Sequence, residues 1–240
     1  MHIDYAGLTF SGINRADIFS RLDEGFYFQI VTVNAEFIVE AQSNQRLRRI
    51  INESFSTFDG ELPYSRAVKK HPKVKIDKIS GSDICYDIFR YAEKKGRKVF
   101  ILGGSEVSNS ACCENVRKRF GVELEGFSPE LESYPFSSTN TKRITERIES
   151  FRPDILFVCF GAVKQEFWID DNKDLLTSIG CGMAIGAGGT VDFLSGRIKR
   201  APLLVQKAGL EGIYRFLREP KLFRARRLLK SLKLFMIKNA

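Results

Sequence analysis

Histidine is almost missing from this chain: His2 and His71 are the only two in 240 residues. Five cysteines (Cys85, Cys112, Cys113, Cys159 and Cys181) show no CxxC spacing. Zinc sites need Cys and His at short fixed spacings, so no metal template can be written. No stretch approaches the roughly 20 apolar residues that a transmembrane helix requires. The opening MHIDYAGLTF has neither a basic n-region nor an apolar h-region, which argues against a secretory signal. The GxGxxG dinucleotide fingerprint, the GxxxxGK[ST] P-loop and a DxD pair are also missing. An odd number of thiols in apolar runs such as ILFVCFG predicts buried, reduced cysteines in a cytoplasmic setting.

What is present suits a folded chain. Hydrophobic residues make up 43% and charged residues 28%, which excludes disorder and supplies a core. The length allows one large domain or one domain with an appendage. The net charge of +9 is unevenly placed: residues 197–240 hold 13 of the 38 basic and 2 of the 29 acidic groups, leaving 25 and 27 in the rest. A near-neutral body, taken as 1–195, is followed by a cationic appendage, 196–240. Such a tail attracts phosphate, whether in lipid, nucleic acid or substrate.

Strand-length apolar runs at Phe28–Val33, 98–102, 122–126, 155–160 and 182–186 alternate with helical patterns at 35–51, 82–95, Glu106–Phe120, 141–151 and 165–176. Ser82 is the expected N-cap of its helix, and Gly96 marks the C-terminal end. Continuous apolar strands separated by helices predict an α/β, Rossmann-like parallel sheet sandwiched by helices. Ligands in such folds bind beyond the carboxyl ends of the strands.

Those ends carry the candidate chemistry. Thr32 and Asn34 close the first strand, and Asn34 could equally cap the next helix. Asp59-Gly60 follows the strand-like SFSTF, where a carboxylate can serve as general base on a hydroxyl. Gly103 and Gly104 open a strand-to-helix turn whose amides can approach phosphate or a base. Lys164-Gln165-Glu166 starts a helix, with Gln165 as a donor and acceptor. Gly188 and Gly189, in the turn 186–189, precede Asp192, a partner for a sugar hydroxyl or else a helix cap. In the tail, Leu222, Ala225, Leu229, Leu232 and Met236 form an apolar stripe at helical spacing, surrounded by basic residues. A basic amphipathic helix suits anionic lipid. No nucleic-acid motif accompanies it, so no nucleic acid is expected as partner.

These pieces resemble a known family. TVN (32–34), Asp59-Gly60, KISGSD (78–83), VFILGG (99–104), RPDILFVCFGAVKQEFWI (152–169), AIGAGGTVDFLSGRIKRAP (184–202) and GLEGIYRFLREP (209–220) are similar, in order and spacing, to the WecG/TagA/CpsF glycosyltransferases of bacterial cell-surface polymer synthesis. The resemblance implies inverting, metal-independent transfer, without a cofactor. The donor would be a UDP-sugar of the N-acetylmannosamine type, and the acceptor a polyprenyl-diphosphate-linked sugar at the cytoplasmic membrane face. It implies Asp59 as the base and Thr32, Asn34, Gln165 and Asp192 in the donor pocket. The appendage would touch the membrane and supply arginines to the diphosphate, from Arg215, Arg224, Arg226 and Arg227. Lys78, in place of the family's Arg, keeps the charge there but loses the bidentate fork. Val163 replaces a Pro, read as a change of loop stiffness, and Gly212 replaces a Trp. Competing readings are a catalytically idle family member and a cationic nucleic-acid-binding α/β protein. A second copy of the chain is a further candidate partner.

Overall fold

The computed structural model describes residues 2–198, 201–202, 204–205, 210–218, 220 and 222–237, with the side chains at 215, 222–224, 226, 227 and 235 outside that description. Six strands form a parallel sheet flanked by helices: β3 (Phe28–Val33), β4 (Phe55–Phe58), β5 (Val99–Gly103), β6 (Leu124–Phe127), β7 (Ile155–Cys159) and β8 (Met183–Gly186). Their order is β4-β3-β8-β7-β5-β6. β5 and β7 are buried along their whole length, as VFILG and ILFVC predict for strands covered on both faces. A separate hairpin, β1 (Ile3–Tyr5) with β2 (Leu8–Phe10), was not expected from the sequence. It turns through Ala6 and Gly7, both at positive φ, as a two-residue hairpin connection requires.

The chain divides into two compact units. The first contains Met1–Ile18, Val31–Ser80 and Arg200–Ala240. After β3 come α2 (Ala35–Ala41) and α3 (Gln45–Glu53), where the sequence predicted one helix over 35–51. The break is chemical: Asn44 Oδ1 accepts the Leu47 N–H at 3.0 Å, while Arg48 donates to the carbonyls of Ala41 and Gln42 that end α2. A side chain that caps a new helix competes with continuation of the old one. α4 (Glu61–Lys70) follows β4, and Phe10 stacks on Phe58 at 3.9 Å between ring centres. The C-terminal helices α11 (Glu211–Arg218) and α12 (Leu222–Leu232) and a 3-10 turn (Lys233–Met236) also belong here. Leu234 is fully buried, and Lys230 pairs with Glu40 of α2. A Cβ on Gly212 would lie 3.0 Å from Leu228 Cδ2, so the approach of α11 to α12 favours glycine at 212.

The second unit contains Phe19–Ile30 and Gly81–Lys199. Its helices are most of α1 (Arg15–Glu24), then α5 (Gly81–Lys95), α6 (Glu106–Phe120), α7 (Ser138–Phe151), α8 (Lys164–Asp171), α9 (Lys173–Ser178) and α10 (Thr190–Leu194). α6 matches its predicted span, and Gly96 and Gly121 end their helices at positive φ. α5 begins at Gly81, so Ser82 lies in its first turn and is not its cap. The helix expected over 165–176 is instead α8 and α9, because Asn172 leaves helical geometry and its amide donates to the Trp168 carbonyl at 2.8 Å. The core gathers Phe100, Leu102, Ile144, Ile148, Leu156, Val158, Trp168 and Ala184. All five cysteines are buried free thiols, as their apolar settings predicted. Among the described residues no helix is long and apolar enough to cross a membrane.

Candidate functional site

The strand order fixes where a ligand can enter the second unit. β5 and β7 are neighbours, with Gly103 opposite Cys159. The chain leaves β5 toward β6 on one side and β7 toward β8 on the other. Loops that diverge in this way leave a crevice at the carboxyl edge, the topological switch point of a parallel sheet. A cavity of about 850 Å³ opens there, lined by Gly103, Gly104, Cys159, Phe160, Lys164 and the segment 126–132.

Its floor is the predicted glycine turn. Gly103 has φ +99 and Gly104 has φ +80, where side-chain-bearing residues are strained. A Cβ at Gly103 would sit 3.0 Å from the Cys159 backbone, and one at Gly104 the same distance from Val191 Cγ1. Internal packing therefore already demands glycine at both positions. Asn109 Nδ2 donates to the Gly103 carbonyl at 2.8 Å, and Ser128 Oγ to the Gly104 carbonyl at 2.6 Å, so the turn is held from two sides. Ser105 caps α6 by accepting the Ser108 N–H.

The walls are aromatic and cationic. Phe136 meets Phe160 edge to face at 4.9 Å, and Phe160 meets Trp168 at 6.0 Å. Arg143 and Arg147 of α7 both stand over the Phe127 ring, at 6.0 and 5.9 Å, and pair outward with Glu130 and Glu125. Lys164 begins α8 and also lines the cavity. Sequence reasoning missed Ser128, Phe136, Phe160, Arg143 and Arg147 because they lie in plain connections and on a helix face. The Phe127-Ser128-Pro129 stop at a strand end was the available signal.

Gln165 is buried, with both ends of its amide engaged by the protein. Oε1 accepts the Gly188 N–H at 3.0 Å, and Nε2 donates to Glu166 Oε1 at 2.8 Å. Gly189 precedes α10, and Asp192 lies inside that short helix, so the alternative of Asp192 as a helix cap does not hold. Val163 also departs from expectation. It has φ +72, and its N–H donates to Glu166 Oε2 at 2.8 Å. Proline, fixed near φ −65° and lacking an N–H, can do neither. The substitution thus changes the path of the backbone, not only its stiffness. Burial pushes the Cys159 thiol well above its ordinary range, so the cavity floor carries a neutral thiol.

The first unit brings together the other predicted residues. The Asp59 N–H donates to the Val33 carbonyl at 3.0 Å, which joins the ends of β3 and β4. Thr32 and Asp59 are partly exposed there, and Gly60, at φ +87, turns the chain into α4. Asn34 does cap α2, accepting the Phe37 N–H at 3.1 Å. Lys78 bridges Phe58 in parallel register, and its ammonium pairs with Glu61 at 2.8 Å. Arg215, Arg224, Arg226 and Arg227 lie on α11 and α12, with side chains outside the described residues. Among the described residues no group of three His, Cys, Asp or Glu is placed to hold a metal ion.

Fold and crevice together define an α/β protein that binds a small ligand at its strand ends. Comparison with protein families makes this particular: the glycosyl transferase WecG/TagA/CpsF family matches residues 3–239. The chain belongs to that family and is a glycosyltransferase.

Proposed function

We propose that this enzyme transfers a sugar of the N-acetylmannosamine type from a UDP-sugar to a polyprenyl-diphosphate-linked sugar, with inversion and without metal or cofactor. The observation that carries the reading is the glycine-floored, aromatic-walled cavity at the switch point. A planar base finds ring faces there, and a diphosphate finds amides and cations. Asp59 takes the proton of the acceptor hydroxyl as its oxygen attacks the anomeric carbon. The bond to UDP breaks, and the diphosphate leaves with the electron pair. Single displacement needs one base, which fits an isolated Asp at a strand end. Charge on the leaving diphosphate is balanced by Lys78 and the arginines of the appendage 196–240.

The appendage also rests on the cytoplasmic face of the membrane in this reading. Leu229, Leu232 and Met236, expected as an apolar stripe, are 67%, 60% and 79% exposed. Apolar side chains among cations at a surface support contact with anionic lipid. Calorimetry with a panel of UDP-sugars tests the donor. Selective binding of one, with UDP released on adding a lipid-linked acceptor, is the expected result. Absence of binding to any UDP-sugar would overturn it.

A further inference from the structure

Lys78 and Glu61 form an ion pair at the end of β4, two residues from Asp59. The ammonium lies 2.8 Å from Glu61 Oε2, with the side chains 31% and 32% exposed. Backbone contacts fix both partners. Lys78 bridges Phe58, the Ile79 N–H donates to the Phe58 carbonyl at 2.9 Å, and Glu61 is the first residue of α4. A half-exposed pair of this kind contributes little stability and exchanges readily. The exchange is cheap on both sides. A lysine ammonium swings on a flexible stem, and Glu61 in a first helical turn keeps the favourable field of the helix N-terminus when its partner leaves.

We propose that Glu61 is a positioning residue that holds the Lys78 ammonium at the strand end and yields it to the diphosphate of an entering nucleoside diphosphate. This deepens the UDP-sugar reading and rests on it. Lysine is a point charge without the fork that would grip a diphosphate on its own, so a carboxylate partner keeps it aimed between turnovers. Glu61 also competes with the diphosphate, since both seek the same cation, and so it limits affinity and favours product release.

Calorimetry on the full chain with UDP, and separately with inorganic pyrophosphate, tests this in wild type, Glu61→Gln, Lys78→Ala and the double variant. Glu61→Gln should tighten both ligands about threefold to tenfold and lower the donor KM more than it changes kcat. The gain should vanish in the Lys78→Ala background. A purely structural Glu61 would lower the melting temperature and leave Kd unchanged or weaker, which would overturn the proposal. Glu61→Asp, which keeps the charge at the helix start but withdraws it from the ammonium, should give an intermediate gain if Glu61→Gln does not fold. Pyrophosphate binding that responds as stated, with no UDP binding, would keep this proposal and sink the donor reading. UDP binding indifferent to Glu61 would do the reverse.

Discussion

Gln165 and Gly188 are tied by one buried hydrogen bond, from the Gly188 N–H to Gln165 Oε1 at 3.0 Å. It is one link of a chain. Val163 donates to Glu166, Gln165 donates to Glu166, and Gly188 donates to Gln165, so the loops after β7 and β8 are joined through two side chains. The KQE segment therefore braces the strand-end loops, whatever else it touches.

Breaking that brace should be costly. Gln165→Leu leaves the Gly188 N–H and a Glu166 oxygen without their partner and should destabilise by about 1–3 kcal/mol. Gly186→Ala tests the same spot sterically, because its Cβ would lie 2.2 Å from Glu166 Oε1 and 2.5 Å from Gln165 Nε2. Urea denaturation of both variants reads the loss. Wild-type midpoints would show that the loops do not depend on this chain of bonds.

Val163 offers a test with opposite signs. A β-branched residue at φ +72 is strained, so Val163→Gly should gain about 1 kcal/mol or at least cost nothing. Val163→Pro, the family's residue, should lose about 3 kcal/mol here, through its fixed φ and missing donor. A neutral or stabilising Val163→Pro in chemical denaturation would contradict the loop path described.

Asp59→Asn should keep the fold and UDP binding and lower transfer by about 10²–10⁴-fold, the usual worth of a general base. Turnover near wild type in a UDP-release assay would remove Asp59 from the role proposed for it.

Membrane contact can be tested without cutting the chain. Truncation after residue 195 would strip buried Leu234 and the Lys230–Glu40 pair from the first unit, mixing stability with binding. Replacing Leu229, Leu232 and Met236 together by Glu touches only exposed positions. Flotation with anionic liposomes should fall sharply while the melting temperature stays within a few degrees. Unchanged flotation would place the lipid contact elsewhere.

The thiols set an alkaline limit. Burial raises Cys113 from its ordinary 9.0 to about 11 and Cys181 to about 12. Unfolded thiols ionise first, so this contribution to stability is whole below about pH 9 and is lost as pH rises toward 11–12. The denaturation midpoint should fall between pH 8.5 and 10.5 (approximate bounds set by those shifts), and less steeply in a Cys113→Ala, Cys181→Ala variant. An identical slope in that variant would assign the fall to other groups.

Period and apolar runs were enough to read the parallel α/β sheet and the α6 span, because continuous burial of VFILG and ILFVC leaves few alternatives. They missed the breaks at Asn44 and Asn172, where a polar side chain takes over a backbone partner within one turn. They also missed Phe136, Arg143 and Arg147, which reach the cavity from segments without a motif.

The sequence by itself determined the fold class, the family, the buried thiols and the cationic surplus beyond residue 196, since each follows from composition or local order. Only the tertiary structure decided that Gly103 and Gly104 are demanded by packing on Cys159 and Val191, and that Gln165 braces a loop. It likewise decided that Lys78 is held by Glu61. Each of these depends on atoms brought within about 3 Å by elements distant in the chain, and local pattern carries no record of such approaches.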